Sequence, residues 1–152
     1  MNIVTTDYSM QTRSYDIFFS GCLANPKCEG CHNAEAWDFS KGTDWKQHKE
    51  KIAKDLKDFG ALIDRVFILG GDPLDQDLIE LHEFLDFLEP FNIPSVLFTR
   101  YILDNVPLSI VSRVDYIKTG RYIPRLTVSD NTWYNIKLST SNQRVWKRGV
   151  DY

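Results

Sequence analysis

This chain of 152 residues has few cysteines, no long apolar run and no excess of positive charge. Each shortage closes off a class of function. Three cysteines are an odd number and too few for the disulfide framework of a small secreted scaffold. No apolar stretch approaches the length needed to cross a bilayer, and residues 1–14 lack the apolar core of a signal peptide. The expectation is a cytoplasmic protein with no membrane partner. Net charge is −3, which removes the electrostatic case for nucleic-acid binding. The basic stretch of Arg144, Lys147 and Arg148 is too short to reverse that. Repeats, low-complexity tracts and linkers are also missing. With 43% hydrophobic and 26% charged residues, the chain reads as one globular domain over residues 1–152.

What is present is concentrated. All three cysteines fall within Cys22-Leu-Ala-Asn-Pro-Lys-Cys28-Glu-Gly-Cys31. Clustered thiolates form a ligand set for a soft metal, and three ligands leave one coordination position open for chemistry. Structural zinc wants four closed ligands, and the only nearby fourth is His32, directly after Cys31. Adjacent residues rarely reach one tetrahedral ion. A four-iron cluster usually takes four cysteines, so three would leave one iron free. Ligand count therefore favours iron–sulfur over structural zinc and over unrelated buried thiols.

Around this loop the pattern alternates between strand and helix. Arg13–Ser20 is aromatic and β-branched enough for a buried strand, and the cysteine loop starts at its end. Asp44–Phe59 predicts a helix with Trp45, Ile52, Leu56 and Phe59 on one face. Arg65–Leu69 predicts a second strand, Asp77–Leu88 a helix striped by Leu78, Leu81, Leu85 and Leu88, and Ser95–Phe98 a third strand. A weaker helix at Ser109–Arg113 leads to a fourth strand, Val114–Lys118, and Leu126–Leu138 reads as an edge strand or hairpin. Strands separated by helices predict an α/β fold with a mostly parallel sheet. A complete β/α barrel takes about 250 residues, so this chain has room for a partial, incomplete barrel.

Parallel strands place their C-terminal ends on one edge, where ligand sites form. The cysteine loop, Gly70-Gly71-Asp72-Pro73, Thr99-Arg100 and Thr119-Gly120 all follow strands, so they converge on that edge. Gly70 and Gly71 let a ligand approach the main chain, and Asp72 adds an acceptor suited to an ammonium group. An ordinary strand-to-helix turn would give the same tetrapeptide, so the turn gains meaning only beside the cysteines. His32 and Asn33 read as loop caps, and His48 and His82 as surface residues of amphipathic helices.

Together these residues resemble the radical S-adenosylmethionine enzymes, and within them the activating proteins of anaerobic (class III) ribonucleotide reductases. The resemblance rests on Phe19-Ser-Gly-Cys22, Cys28-Glu-Gly-Cys-His-Asn33 with Ala36-Trp-Asp38, Gly70-Gly-Asp-Pro-Leu74 and Ser141-Asn-Gln-Arg144. Val114–Lys118 and Gly120-Arg121-Tyr122 also resemble a family segment. It implies a 4Fe–4S cluster on Cys22, Cys28 and Cys31, with S-adenosylmethionine as second cofactor. Gly70, Gly71 and Asp72 would bind the methionine end of that cofactor, and Thr99 and Arg100 would line its carboxylate or ribose. Asn142, Gln143 and Arg144 would border the pocket or a partner surface. The implied activity is oxidoreductase chemistry that leaves a glycyl radical on the reductase large subunit, with a flavodoxin-like electron donor. Three positions depart from the family. Five residues separate Cys22 from Cys28 where three are usual, Arg100 stands where glycine is common, and no glycine-proline-glycine segment precedes the first strand. Activation of a formate-lyase type enzyme and a non-catalytic zinc-binding interaction module are the alternative readings.

Overall fold

In the computed structural model, which describes residues 1–152, the strands are β1 (Asn2–Ser9), β2 (Ser14–Phe19), β3 (Thr43–Asp44), β4 (Arg65–Gly70), β5 (Ser95–Phe98), β6 (Tyr116–Thr119), β7 (Thr132–Trp133), β8 (Ile136–Lys137) and β9 (Arg144–Lys147). The helices are α1 (Lys49–Phe59), α2 (Leu78–Leu88) and α3 (Leu108–Val111). Seven strands form one sheet in the order β3-β1-β2-β4-β5-β6-β9, and β7 pairs with β8 in a separate hairpin. The central run β2-β4-β5-β6 is parallel, as the β-α-β pattern requires. Both flanks are antiparallel, through β1 with β3 on one side and β9 on the other. The sheet is open and does not close into a barrel.

Period-two alternation divides the central strands between two cores. Ile17, Ile68, Leu97 and Ile117 face the helices and pack with Ile52, Leu56, Leu81, Phe84 and Ile110. Phe67, Val96 and Val145 face the other way, against Ile136 and Leu138 of the hairpin region. Asp77 caps α2 rather than beginning it: its carboxylate accepts from the amides of Ile79 and Glu80. The expected leucine stripe of α2 is modified, because Leu78 is exposed and Phe84 is buried instead. Trp45 is fully buried in a single 3-10 turn that precedes α1, and Phe59 at the end of α1 is exposed. Apart from these shifts, each expected element appears within a few residues of its place. No helix is long and apolar enough to cross a membrane.

Three strands were not expected from the sequence: β1, the two-residue β3 and β9. In β1, Ile3 is the single buried residue, so no apolar run marks it. In β9, Arg144 lies over the ring of Trp146 at 3.8 Å and of Trp133 at 4.5 Å. Its guanidinium also donates to Asp151 at 3.2 Å, so cation–π stacking and an ion pair hold an edge that aliphatic packing would otherwise hold.

Candidate functional site

The cysteine loop leaves the C-terminal end of β2 and is stitched at once to its neighbours. Gly21 has φ +104°, and a side chain there would run into the Phe39 ring. The amides of Gly21 and Cys22 donate to the carbonyls of Ala36 and Trp37 at 2.7 and 3.1 Å, which folds the Ala36-Trp37 segment back beside the first cysteine. Cys22 is buried, whereas Cys28 and Cys31 are partly exposed. Burial pushes the Cys22 thiol up, opposed by the Ala24 amide and the Arg100 charge. A bound metal reverses that bias, because it holds cysteine as thiolate.

The glycine turn meets this loop backbone to backbone. A Cβ on Gly70 (φ +122°) would lie 2.1 Å from the Phe19 carbonyl oxygen, and one on Gly71 would lie 2.1 Å from that of Gly21. The Asp72 amide donates to the Gly21 carbonyl at 2.9 Å, and the Gln76 side-chain amide donates to the carbonyls of Ser20 and Gly21. Glycine is therefore required here by the chain's own packing, whatever ligand is present.

Asp72 is buried, and its carboxylate accepts from Thr99 Oγ1 at 2.9 Å, from the amides of Leu74 and Arg100, and from the Arg100 guanidinium at 3.2 Å. Burial raises its pKa, and the amides of Arg100 and Leu74 pull against that rise. Arg100 also donates to Asp75 at 3.2 Å and to the Tyr101 hydroxyl at 2.8 Å, and it stacks 4.0 Å from the Tyr101 ring centre. Tyr101 in turn donates to Asp75 at 2.8 Å, and burial pushes its pKa up to about 12. Sequence reasoning missed Asp75, which sits in the turn just after Asp72 with no role assigned. Its carboxylate accepts from the Leu23 amide at 2.6 Å and so ties the residue after Cys22 to the Arg100 network.

These pieces surround a cavity of about 350 Å³ at the C-terminal ends of the parallel strands. Cys28, Cys31, Gly70, Gly71, Thr99 and Arg100 all line it, so the structure brings together most of the sequence-derived site. Cys22 and Asp72 stand behind its wall, in the network just described. Of the Ser141–Arg144 segment only Gln143 reaches the cavity, while Arg144 is held between the two tryptophans. No aspartate or glutamate lines the cavity, whereas Arg100, Lys118, Arg121 and Lys137 do. Lys118 shares its layer with Phe18, Leu69 and Phe98. Its ammonium donates to the Gly120 carbonyl at 2.7 Å, and burial drives its pKa down to about 8. Alternation with inward Ile117 is the sequence signal that places Lys118 on the cavity face. A hollow of about 370 Å³ at the opposite strand edge contains none of these groups, and its Arg113 and Arg148 are paired with Asp86 and Asp115.

With that geometry in place, the family of 4Fe-4S single cluster domains matches residues 12–146. The chain belongs to this family. A comparison with curated proteins gives no match. For a 4Fe-4S single cluster domain, the donor set fits: three free thiols on one loop, beside a cavity rich in cations that complement an anionic cluster.

Proposed function

We propose that this 4Fe-4S domain is a radical S-adenosylmethionine activating enzyme for an anaerobic ribonucleotide reductase. The observation that carries the reading is one cavity shared by two cysteines of a three-cysteine loop and by the Gly70-Gly71 turn. Three protein ligands leave one iron for a chelating cofactor. The open, centrally parallel sheet supports its description as part of a β/α barrel.

In this reading Cys22, Cys28 and Cys31 hold the cluster. When bound and reduced by a flavodoxin-like donor, the cluster supplies the electron that cleaves the sulfonium C–S bond of S-adenosylmethionine, and so the hydrogen abstraction that leaves a glycyl radical on the reductase large subunit. Gly70 and Gly71, which line the cavity, present main chain to the methionine end. Asp72 supports them from behind the wall by fixing Thr99 and Arg100. Arg100 has its guanidinium committed to Asp72 and Asp75, Arg121 donates to the Pro26 carbonyl and Lys137 is exposed, so Lys118, with two N–H donors unspent and no acidic partner, is the cation assigned to the cofactor carboxylate. The hairpin core shields the far side of the cavity from water.

The test is EPR on anaerobically reconstituted, dithionite-reduced protein, with iron and zinc analysis alongside. A reduced four-iron signal that shifts when S-adenosylmethionine is added supports the reading. Zinc without iron, or an iron signal indifferent to the cofactor, would sink it.

A further inference from the structure

The second half of the cysteine loop has no strand beside it, yet it is held in place. Arg121 donates to the Pro26 carbonyl at 3.0 Å, within the stretch that widens the spacing between Cys22 and Cys28. The Tyr122 ring lies 4.9 Å from the His32 ring, directly after Cys31, and its edge closes over Gly30. Both residues belong to the turn that follows β6, and that turn is itself clamped from the C-terminal segment. The Asn142 side-chain amide donates to the Arg121 carbonyl at 2.9 Å, and the Gln143 side-chain amide donates to the Gly120 carbonyl at 3.3 Å. Gly120 has φ +90°, and a Cβ there would lie 2.8 Å from the Asn142 carbonyl oxygen. Gln143 is fixed in turn, since its side-chain oxygen accepts from the Thr140 amide.

We propose that Asn142 and Gln143 are positioning residues of the metal centre, acting through Arg121 and Tyr122 to set where Cys28 and Cys31 stand relative to Cys22. The first cysteine is welded to the glycine turn by Gly71, Asp75 and Gln76. The other two are reached by this second clamp, more than ninety residues away in sequence, beside the local contact in which the Lys27 ammonium donates to the Cys22 carbonyl. The wider loop makes the clamp necessary, because a longer connection constrains its ends less. The inference rests on the family's cluster and not on the S-adenosylmethionine reading. A chain that holds iron but shows no cofactor-induced shift fails that reading and leaves this test intact.

The test uses the cluster-loaded protein. Asn142 is exposed, so Asn142→Asp removes the amide donor without disturbing a core. Arg121→Ala removes the contact to Pro26, and Arg121→Lys keeps a donor there. The readouts are the rate of iron loss to a chelator, the line shape of the reduced EPR signal, and the guanidinium midpoint. Asn142→Asp and Arg121→Ala are expected to release iron roughly fivefold faster, the effect of one hydrogen bond. Their EPR line shapes should change, their guanidinium midpoints should not, and Arg121→Lys should recover most of the loss. Wild-type iron release and EPR in both variants overturn the proposal. So does an effect that tracks the guanidinium midpoint in Asn142→Asp and is absent from Arg121→Ala, since the segment would then serve only to hold β9.

Discussion

Asp75 accepts the Leu23 amide at 2.6 Å, joining the residue that follows the first cysteine to the turn that follows β4. The same carboxylate carries the Arg100 and Tyr101 contacts, so one buried acid links the cysteine loop, the glycine turn and the β5 turn.

Asp75→Ala should therefore act at a distance from any ligand. It leaves the Arg100 guanidinium short of a partner and orphans the Leu23 amide, in a place where the Asp75 side chain is 1% exposed. Arg100 keeps its pair with Asp72, so the cost is that of buried hydrogen-bonding groups left unsatisfied, about 1–3 kcal/mol. Urea unfolding should show that loss, and iron content after reconstitution should fall with it.

Gly71→Ala puts a methyl group against the Gly21 carbonyl, where backbone faces backbone and no side chain can swing away. The expected loss is about 3 kcal/mol, at the upper end of overpacking effects. Denaturant melts measure it in protein without cofactor. An unchanged midpoint would show that the glycine serves only the ligand.

Lys118→Met keeps the length of the side chain and removes its charge from a layer otherwise formed by Phe18, Leu69 and Phe98. Stability should hold or rise, while, under the proposed function, affinity for S-adenosylmethionine should drop about tenfold or more, the usual loss for a hydrogen bond to a charged group. Titrating the cofactor-induced EPR shift reads both the dissociation constant and the fraction of sites that respond.

The same lysine sets a pH dependence. Burial lowers its folded-state pKa from 10.5 to about 8, so between those values the unfolded chain binds more protons than the folded one. Stability must then rise with pH across that window and be lost as pH falls through about 8. Urea midpoints of metal-free wild type against Lys118→Met, from pH 7.5 to 10.5, should differ in slope, with the variant flatter.

The elements legible in the sequence are those whose apolar spacing has a single explanation. Ile17, Ile68, Leu97 and Ile117 sit in short apolar runs that read as strands, and the leucine-rich run after Asp77 reads as a helix. β1 and β9 were not legible, since their inward residues are few and their stability comes from pairing and from Arg144 stacked on Trp133 and Trp146. The convergence of the cysteines with Gly70, Gly71, Thr99 and Arg100 was also legible, because parallel strands put those turns on one edge.

By itself the sequence determined that three thiols share one loop, with no fourth cysteine in the chain, and the edge of the sheet on which they would lie. Local chemistry and strand direction suffice for both. Only the tertiary structure decided how the polar groups divide their work. Asp72, behind the cavity wall, pairs with Arg100, Lys118 stands without an acidic partner in the cavity, and Asn142 and Gln143 brace the cysteine loop from the far end of the chain. Hydrogen-bond partners separated by tens of residues leave no periodic trace, so a donor's role appears only when the fold brings its acceptor within reach.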